Sequence, residues 1–181
     1  MQKKINEIFY SIQGEGHWTG TPMVFIRMSG CNLKCHFCDT EHEAYTEMSD
    51  DEILASISKY PSPYVCITGG EPALQLDQDL VDLLVKDGRR VHIETNGTHS
   101  LPDNITWVTV SPKNKKVVLE KANEVKMVYE GQDVSKWLDF NAEMFYLQPC
   151  SCTNTNEVID YIKEHPQWKI SVQIHKLLNV Q

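Results

Sequence analysis

The segment PMVFIRMSGCNLKCHFC, residues 22–38, joins an apolar run to a loop that carries three cysteines. The β-branched and aromatic residues predict a strand over about Met23 to Met28. Beyond Gly30 come Cys31, Cys35 and Cys38, with CxxxCxxC spacing. In parallel α/β folds ligands bind where strands end, so this loop is a candidate site.

The same order of strand and polar loop recurs along the chain. Further strands are predicted in YVCIT, RRVHIE, ITWVTV, EVKMVY, EMFYLQP and WKISVQIH, and helices in MSDDEILASISKY, LDQDLVDLLVKDG and TNTNEVIDYIKEHP. Ser49 and Glu52 have capping-box spacing. Alternation of this kind predicts an α/β fold with mainly parallel strands. About six strands are too few for a closed eight-stranded barrel, so we expect a partial, open (β/α)6-type barrel in a single domain, residues 1–181.

Only HSLPDN separates two of these strands, which is too short for a helix of ordinary length. Some crossovers should therefore be reduced to loops. Because a lost outer helix exposes apolar surface, a second subunit could cover it, and we expect a homodimer.

Composition narrows the function classes. The 181 residues are 41% hydrophobic and 23% charged, with a formal net charge of -8. This acidic balance disfavours binding to nucleic acid or to an anionic membrane. No apolar run approaches the ~20 residues that span a bilayer, and the N-terminus is not a secretory signal. We therefore expect a cytoplasmic protein, whose clustered thiols bind metal or do chemistry rather than form disulfides.

The three cysteines are compatible with two kinds of metal site. A structural zinc site needs a fourth ligand, for which His36 and His42 are nearby candidates. A [4Fe–4S] cluster held by three thiolates keeps one iron open to a cofactor or substrate. Outside the loop, Cys66 is expected to be a small buried hydrophobe, and the pair Cys150 and Cys152 either free thiols or part of a second cluster.

TGGEP, residues 68–72, follows about thirty residues after the cysteines, at another strand end. With CxxxCxxC, and with Phe37 before the third cysteine, it resembles the radical S-adenosylmethionine superfamily. The resemblance implies a [4Fe–4S] cluster on Cys31, Cys35 and Cys38, and S-adenosylmethionine bound at its open iron as the source of a 5′-deoxyadenosyl radical. The cofactor-binding residues that it implies are Phe37, Cys38, Asp39, Gly69, Gly70, Glu71, Ser111, Pro112, Lys113 and Gln148.

SIQGEG, residues 11–16, the FIR strand before GC, and CDT after the last cysteine resemble the 7-carboxy-7-deazaguanine synthase family, and the likeness extends to QIHK near the end. It implies conversion of 6-carboxy-5,6,7,8-tetrahydropterin to 7-carboxy-7-deazaguanine with loss of ammonia, toward queuosine-type bases. It also implies Mg²⁺ on Thr40, and an external one-electron reductant such as a flavodoxin or ferredoxin. The substrate-binding candidates are Ile12, Gln13, Gly14, Glu15, Arg27, Thr68, His175 and Gln181.

For some of these residues, the chemistry of the side chain or backbone fits the substrate contact that the resemblance implies. The planar guanidinium of Arg27 suits a carboxylate, and residues 12–14 offer backbone groups and one amide to a flat pterin edge. Two alternatives remain at this point. A glycyl-radical-enzyme activase would share the cysteines and TGGEP without needing SIQGEG. A non-enzymatic zinc-binding module would be colourless and hold one zinc ion in place of iron and sulfide.

Overall fold

The computed structural model describes residues 2–38, 40–113 and 116–181. Within these ranges the strands form a single nine-stranded sheet of order β3-β1-β2-β4-β5-β6-β7-β8-β9. The strands are β1 (Lys3–Ile12), β2 (Pro22–Met28), β3 (Thr46–Met48), β4 (Tyr64–Gly69), β5 (Arg90–Thr95), β6 (Trp107–Val110), β7 (Lys121–Tyr129), β8 (Asn141–Pro149) and β9 (Lys169–Ile170). The α-helices are α1 (Asp50–Ile57), α2 (Gln78–Lys86), α3 (Thr155–Glu164) and α4 (Ile174–Leu178).

The sheet is mostly parallel and does not close. Neighbouring strands from β2 to β9 pair in parallel, while β1 and β3 extend one edge in antiparallel pairing. Helices α1, α2 and α3 each form one crossover between parallel strands. In the described ranges, the crossovers β5–β6, β6–β7 and β7–β8 have loops or a short 3-10 helix instead. The predicted α/β class, with an open partial barrel and some crossovers reduced to loops, is confirmed.

The outer face of the sheet carries most of the core. Ile26, Ile67 and Ile93, on adjacent strands, pack against Ile53 of α1 and Leu84 of α2. Helix α1 begins as predicted, since the Ser49 side chain accepts a hydrogen bond from the Glu52 backbone and the Ser49 backbone donates to Glu52 Oε2 at 2.7 Å. None of the helices in the described ranges is long and apolar enough to cross a membrane.

Loops replace the missing outer helices with apolar side chains of their own. In the β5–β6 connection, Leu101 and Ile105 pack against the core cluster that contains Ile26, Ile67 and Ile93. In the β6–β7 connection, Val117 and Leu119 pack against a second core cluster, which contains Val110, Val125 and Leu147. The outer face is therefore covered within the chain, and the physical reason given above for a homodimer is weakened.

Two strand predictions need correction. Strand β1 was not anticipated, because a charged residue, Lys3, occupies a buried position where a strand pattern has an apolar residue. Its side chain is 1% exposed and forms ion pairs with Asp50, at the start of α1, and Asp77, the N-cap of α2. At the other end, WKISVQIH is not one strand. Only Lys169–Ile170 pairs with β8, and the chain then turns into α4.

Candidate active site

One cavity of about 620 Å³ lies at the carboxyl ends of the parallel strands and is lined by their loops. It brings together most of the residues proposed above from separate motifs. The predicted residues that line it are Ile12, Gln13, Gly14, Glu15, Arg27, Cys31, Cys35, Phe37, Cys38, Thr40, Thr68, Gly69, Gly70, Ser111, Lys113, Gln148, His175 and Gln181. The sequence therefore located this cavity, although lining it does not assign a role to each residue.

The cysteine loop and the Gly-Gly turn are joined through their backbones. Gly70 N donates to Met28 O at 3.1 Å, and Glu71 N donates to Gly30 O at 2.9 Å. A Cβ at Gly70 would lie 2.1 Å from Gly30 O and 3.0 Å from the Cys31 Cβ. Glycine is thus required at residue 70 because the loop that carries the cysteines packs directly against it.

The three cysteines fit a cluster better than a single ion. All three are free thiols on the cavity wall, and burial raises the pKa of Cys31, with the nearby Glu71, Cys35 and Cys38 adding to the effect. In residues 2–38, 40–113 and 116–181, no three His, Cys, Asp or Glu side chains converge on one metal position. A cubane does not require that convergence, because each thiolate binds a different iron.

His36 is not placed as a fourth ligand. Its side chain is 75% exposed and its Nε2 lies 2.9 Å from Glu130 Oε1. His42 lines the cavity, but it forms no single-ion group with the cysteines. Three thiolates on an open cavity therefore suit a cluster with one iron free for a small-molecule ligand.

A second wall of the cavity holds the residues predicted to contact the cofactor. Lys113 Nζ lies 5.1 Å from the Phe37 ring centroid, above the cysteine loop. Burial lowers the pKa of Lys113. The Ser111 hydroxyl donates to Lys126 O at 2.8 Å, which fixes the start of the loop after β6. This wall offers a cation, an aromatic face and backbone groups beside the thiols.

Two of the predicted cofactor residues that the structure describes, Glu71 and Pro112, do not line the cavity. The Glu71 side chain is fully buried, and its oxygens accept hydrogen bonds from Ala73 N, Thr95 Oγ1 and Asn96 N. Its carboxylate ties the Gly-Gly turn to β5, and contact between Glu71 and the cofactor stays a prediction. Pro112 is buried and does not line the cavity either. Asp39 lies outside the described residues.

The opposite wall is built from β1, β2 and the last segment of the chain. Arg27 Nε donates to Glu7 Oε1 at 2.7 Å, and the Arg27 side chain is 21% exposed. Ile174 N donates to Gly14 O at 3.0 Å, and a Cβ on Gly14 would lie 1.9 Å from His175 Nδ1. Gly14 therefore lets α4 sit directly on the SIQGEG loop, which brings His175 to the cavity.

Sequence reasoning missed a charged network at the base of the cavity. Lys126 Nζ donates to Glu15 Oε2 at 2.7 Å and to Glu94 Oε2 at 2.8 Å. Glu15 Oε1 also accepts from Gln173 Nε2 at 2.7 Å and from Gln148 Nε2 at 3.1 Å. Glu15, Glu94, Lys126 and Gln173 all line the cavity, so the network is part of the site.

The carboxyl groups in this network have different pKa values. Burial opposes ionisation of Glu15, but the charge and hydrogen bond of Lys126 outweigh it and lower the pKa to about 2. Burial raises the pKa of Glu94 to about 7; Lys126 opposes this, while Glu124 and Glu15 repel its charge. Glu15 is thus a fixed anion, whereas Glu94 exchanges a proton near neutral pH.

A signal for these residues was present in the sequence. RVHIET and NEVKMV each place a charged residue among apolar neighbours, Glu94 in the first and Lys126 in the second. Because side chains alternate across a strand, each must face the side opposite its apolar neighbours, which here is the interior of the partial barrel. Their pairing with each other joins strands far apart in the sequence and could not be read from it.

Comparisons with known proteins show the family of the chain. Residues 25–112 match the family model described as the Radical SAM superfamily. A 7-carboxy-7-deazaguanine synthase of Bacteroides thetaiotaomicron is 58% identical over 182 residues, covering 100% of both chains. One from Burkholderia multivorans is 39% identical over 209 residues, covering 99% of this chain and 100% of that protein. The crystal structure of QueE from Escherichia coli superposes with a TM-score of 0.83 at 33% identity, covering 96% of this chain and 94% of that one.

The fold, the thiols on an open cavity and these likenesses define a radical S-adenosylmethionine enzyme, a class that implies a [4Fe–4S] cluster and S-adenosylmethionine. Within that class, the chain belongs to the 7-carboxy-7-deazaguanine synthase family.

Proposed function

We propose that this enzyme converts 6-carboxy-5,6,7,8-tetrahydropterin to 7-carboxy-7-deazaguanine with loss of ammonia. The observation that carries the proposal is the shared cavity, in which the cysteine loop faces Arg27, residues 12–15 and the last residues of the chain. The names of relatives at 58% and 39% identity over essentially whole chains support the same reaction. We infer a single catalytic domain over residues 1–181, since its one sheet takes strands from Lys3 to Ile170.

The cofactor residues divide between the thiols and the wall beside them. When bound, the cluster and S-adenosylmethionine supply the radical that takes a hydrogen atom from the substrate. We propose that Cys31, Cys35 and Cys38 hold the cluster. The residues proposed to hold S-adenosylmethionine are Phe37, Gly69, Gly70, Ser111, Lys113 and Gln148.

For the pterin, each proposed contact follows from the chemistry of the side chain. Arg27 binds the substrate carboxylate, because a guanidinium presents paired donors to two oxygens. Gln13 and the backbone of Ile12 and Gly14 bind the polar ring edge, and the ionised Glu15 accepts from its N–H groups. The remaining proposed substrate contacts are Thr68, His175 and Gln181.

Magnesium is a further part of the proposal. We propose Thr40 as its protein ligand, and the support is that Thr40 lines the same cavity as the three thiols and Arg27. A hard cation that keeps several waters needs few protein ligands, so one hydroxyl with the substrate carboxylate is a reasonable set.

The proposed function is tested by reconstitution. The protein is loaded anaerobically with iron and sulfide and then incubated with S-adenosylmethionine, a low-potential reductant and the carboxylated pterin, with and without Mg²⁺. We expect the deazaguanine acid together with ammonia, measured by mass spectrometry. Cleavage of S-adenosylmethionine without that product would retain the radical class and overturn the substrate assignment.

The proposed partners follow from the same chemistry. An external one-electron carrier, a flavodoxin or ferredoxin, must reduce the cluster, and the net charge of -8 supports no nucleic-acid or membrane partner. Because cluster thiolates must stay reduced, we also infer a cytoplasmic enzyme.

A homodimer also remains a proposal. Its support is the exposed apolar end of the chain, where Leu177 is 70%, Leu178 58% and Val180 42% exposed. We expect light scattering on the reconstituted enzyme to give twice the chain mass of 20.8 kDa. A single species at the chain mass would contradict the proposal.

A further inference from the structure

Arg27 is held from two sides before any substrate reaches it. Its Nε donates to Glu7 Oε1 at 2.7 Å. Its guanidinium carbon lies 5.8 Å from the centroid of the Phe9 ring, which itself stacks on Phe25 at 4.9 Å. Among the described residues, no side chain or carbonyl accepts from Nη1 or Nη2 of Arg27. Arg27 lines the cavity, where its two terminal nitrogens form the fork that suits a carboxylate.

Glu7 faces Arg27 because of an irregularity in β1. Ile5 pairs with Met28 and Glu7 with Arg27, so the register shifts between residues 5 and 7. In a regular strand residues 5 and 7 would lie on the same face. Here Ile5 packs into the outer core, whereas Glu7 lines the cavity. A bulge that re-aims one side chain beside a site is a recurrent device, and here it delivers a carboxylate to Arg27.

The other oxygen of Glu7 binds the end of the chain. Gln181 Nε2 donates to Glu7 Oε2 at 2.6 Å, and Ser11 Oγ donates to Gln181 O at 2.5 Å. Gln181 also lines the cavity. A continuous chain of hydrogen bonds thus runs from the guanidinium, through Glu7, to the segment that follows α4.

We propose that Glu7 is a positioning residue that aims Arg27 at the substrate carboxylate and couples this orientation to docking of residues 174–181 over the cavity. The inference rests on the proposed function and adds a residue to it. By holding Nε, Glu7 stops the guanidinium from rotating, so that Nη1 and Nη2 meet both carboxylate oxygens. By binding Gln181, Glu7 also favours docking of residues 174–181 over the cavity when Arg27 is aligned.

The test compares Glu7→Ala, Glu7→Gln and Arg27→Lys in the reconstituted enzyme. For Glu7→Ala we expect KM for the carboxylated pterin to rise about 10-fold or more, as for loss of one charge-assisted hydrogen bond, with kcat little changed. Affinity for the same pterin without its carboxylate should not change. Arg27→Lys should raise KM at least as far, while both variants bind S-adenosylmethionine like the wild type.

Glu7→Gln separates the two roles and serves if Glu7→Ala does not fold. Its amide has one acceptor oxygen, which can still hold Arg27, while its N–H group meets Gln181 only if the Gln181 amide turns its oxygen inward, so the charge-assisted bond to Gln181 is lost. We expect a small rise in KM together with faster hydrogen exchange at residues 174–181, a readout that loss of general stability would not confine to that segment. Glu47→Ala, which removes an exposed carboxylate from neighbouring β3, is the matched control and should change neither quantity.

The outcomes distinguish this inference from the proposed function. A wild-type enzyme that neither binds nor converts the carboxylated pterin would overturn the proposed function. Normal wild-type turnover, with unchanged KM and tail exchange in both Glu7 variants, would overturn only the role of Glu7. An equal loss of affinity for the pterin without a carboxylate would also reject it, because the defect would then not act through Arg27.

Discussion

Cys35→Ala is expected to abolish both cluster retention and product formation. The cavity presents three thiols, and the proposed cluster uses each of them on a different iron. Removing one leaves two thiolates, which do not complete a site. After anaerobic reconstitution the variant should be nearly colourless and bind little iron and sulfide, and neither S-adenosylmethionine cleavage nor deazaguanine formation should be detectable.

Cys152→Ala is the matched control for this prediction. Cys152 is a free thiol that does not line the cavity, so the variant should keep its colour, iron content and turnover. Far-ultraviolet circular dichroism of both variants should match the wild type, since Cys35 lies in a loop that forms no strand or helix. Iron and sulfide in Cys35→Ala at the wild-type level would show that the cluster is held elsewhere.

The cysteine loop also shows what sequence could establish. Its position after a strand, with TGGEP after the next parallel strand, was enough to predict one shared cavity, because the carboxyl ends of parallel strands lie along one edge. The turn after β4 contacts the loop as expected. What the motif could not show was the direction of Glu71, which hydrogen bonds from Ala73, Thr95 and Asn96 turn into the protein.

The missed elements have a common physical cause. Strand β1 begins with Lys3, whose burial is compensated by Asp50 and Asp77 at the starts of two helices. The end of WKISVQIH leaves the sheet because Gln173 and Ile174 bind Glu15 and Gly14 at the start of the chain. Such partners are distant in sequence, so local propensity and periodicity contain no information about them.

The second large effect is expected for Lys126→Met. The Lys126 side chain is 6% exposed and is the cation that binds both Glu15 and Glu94. Methionine fills similar volume but leaves two largely buried carboxyl groups, 19% and 20% exposed, without a cation, which should reduce the free energy of unfolding by about 3 kcal/mol. Pterin turnover should also be lost, because Glu15 would no longer be a fixed anion on the substrate wall.

The stability of Lys126→Met should also depend on pH, in a direction that the pKa values of the two carboxyl groups determine. In the variant, burial without Lys126 raises the pKa of both carboxyl groups above the value of about 4.3 for an unfolded chain. The folded state then binds more protons than the unfolded state, so the free energy of unfolding falls as the pH rises from that value through the raised pKa values. Urea unfolding should give Lys126→Met a lower free energy of unfolding at pH 8 than at pH 6.

Two further variants isolate the charge from the general effect of mutation. Lys163→Met removes a lysine that pairs with Asp160 at the surface, where both side chains are at least 70% exposed, and should cost less than about 1 kcal/mol. Adding Glu94→Gln to Lys126→Met removes one uncompensated carboxyl group and should recover part of the stability at pH 8, where that group ionises, without restoring turnover. If Lys126→Met instead unfolds at the wild-type urea midpoint at both pH values, the buried ion pairs contribute no net stability. The charged base of the cavity would then have to be explained by catalysis alone.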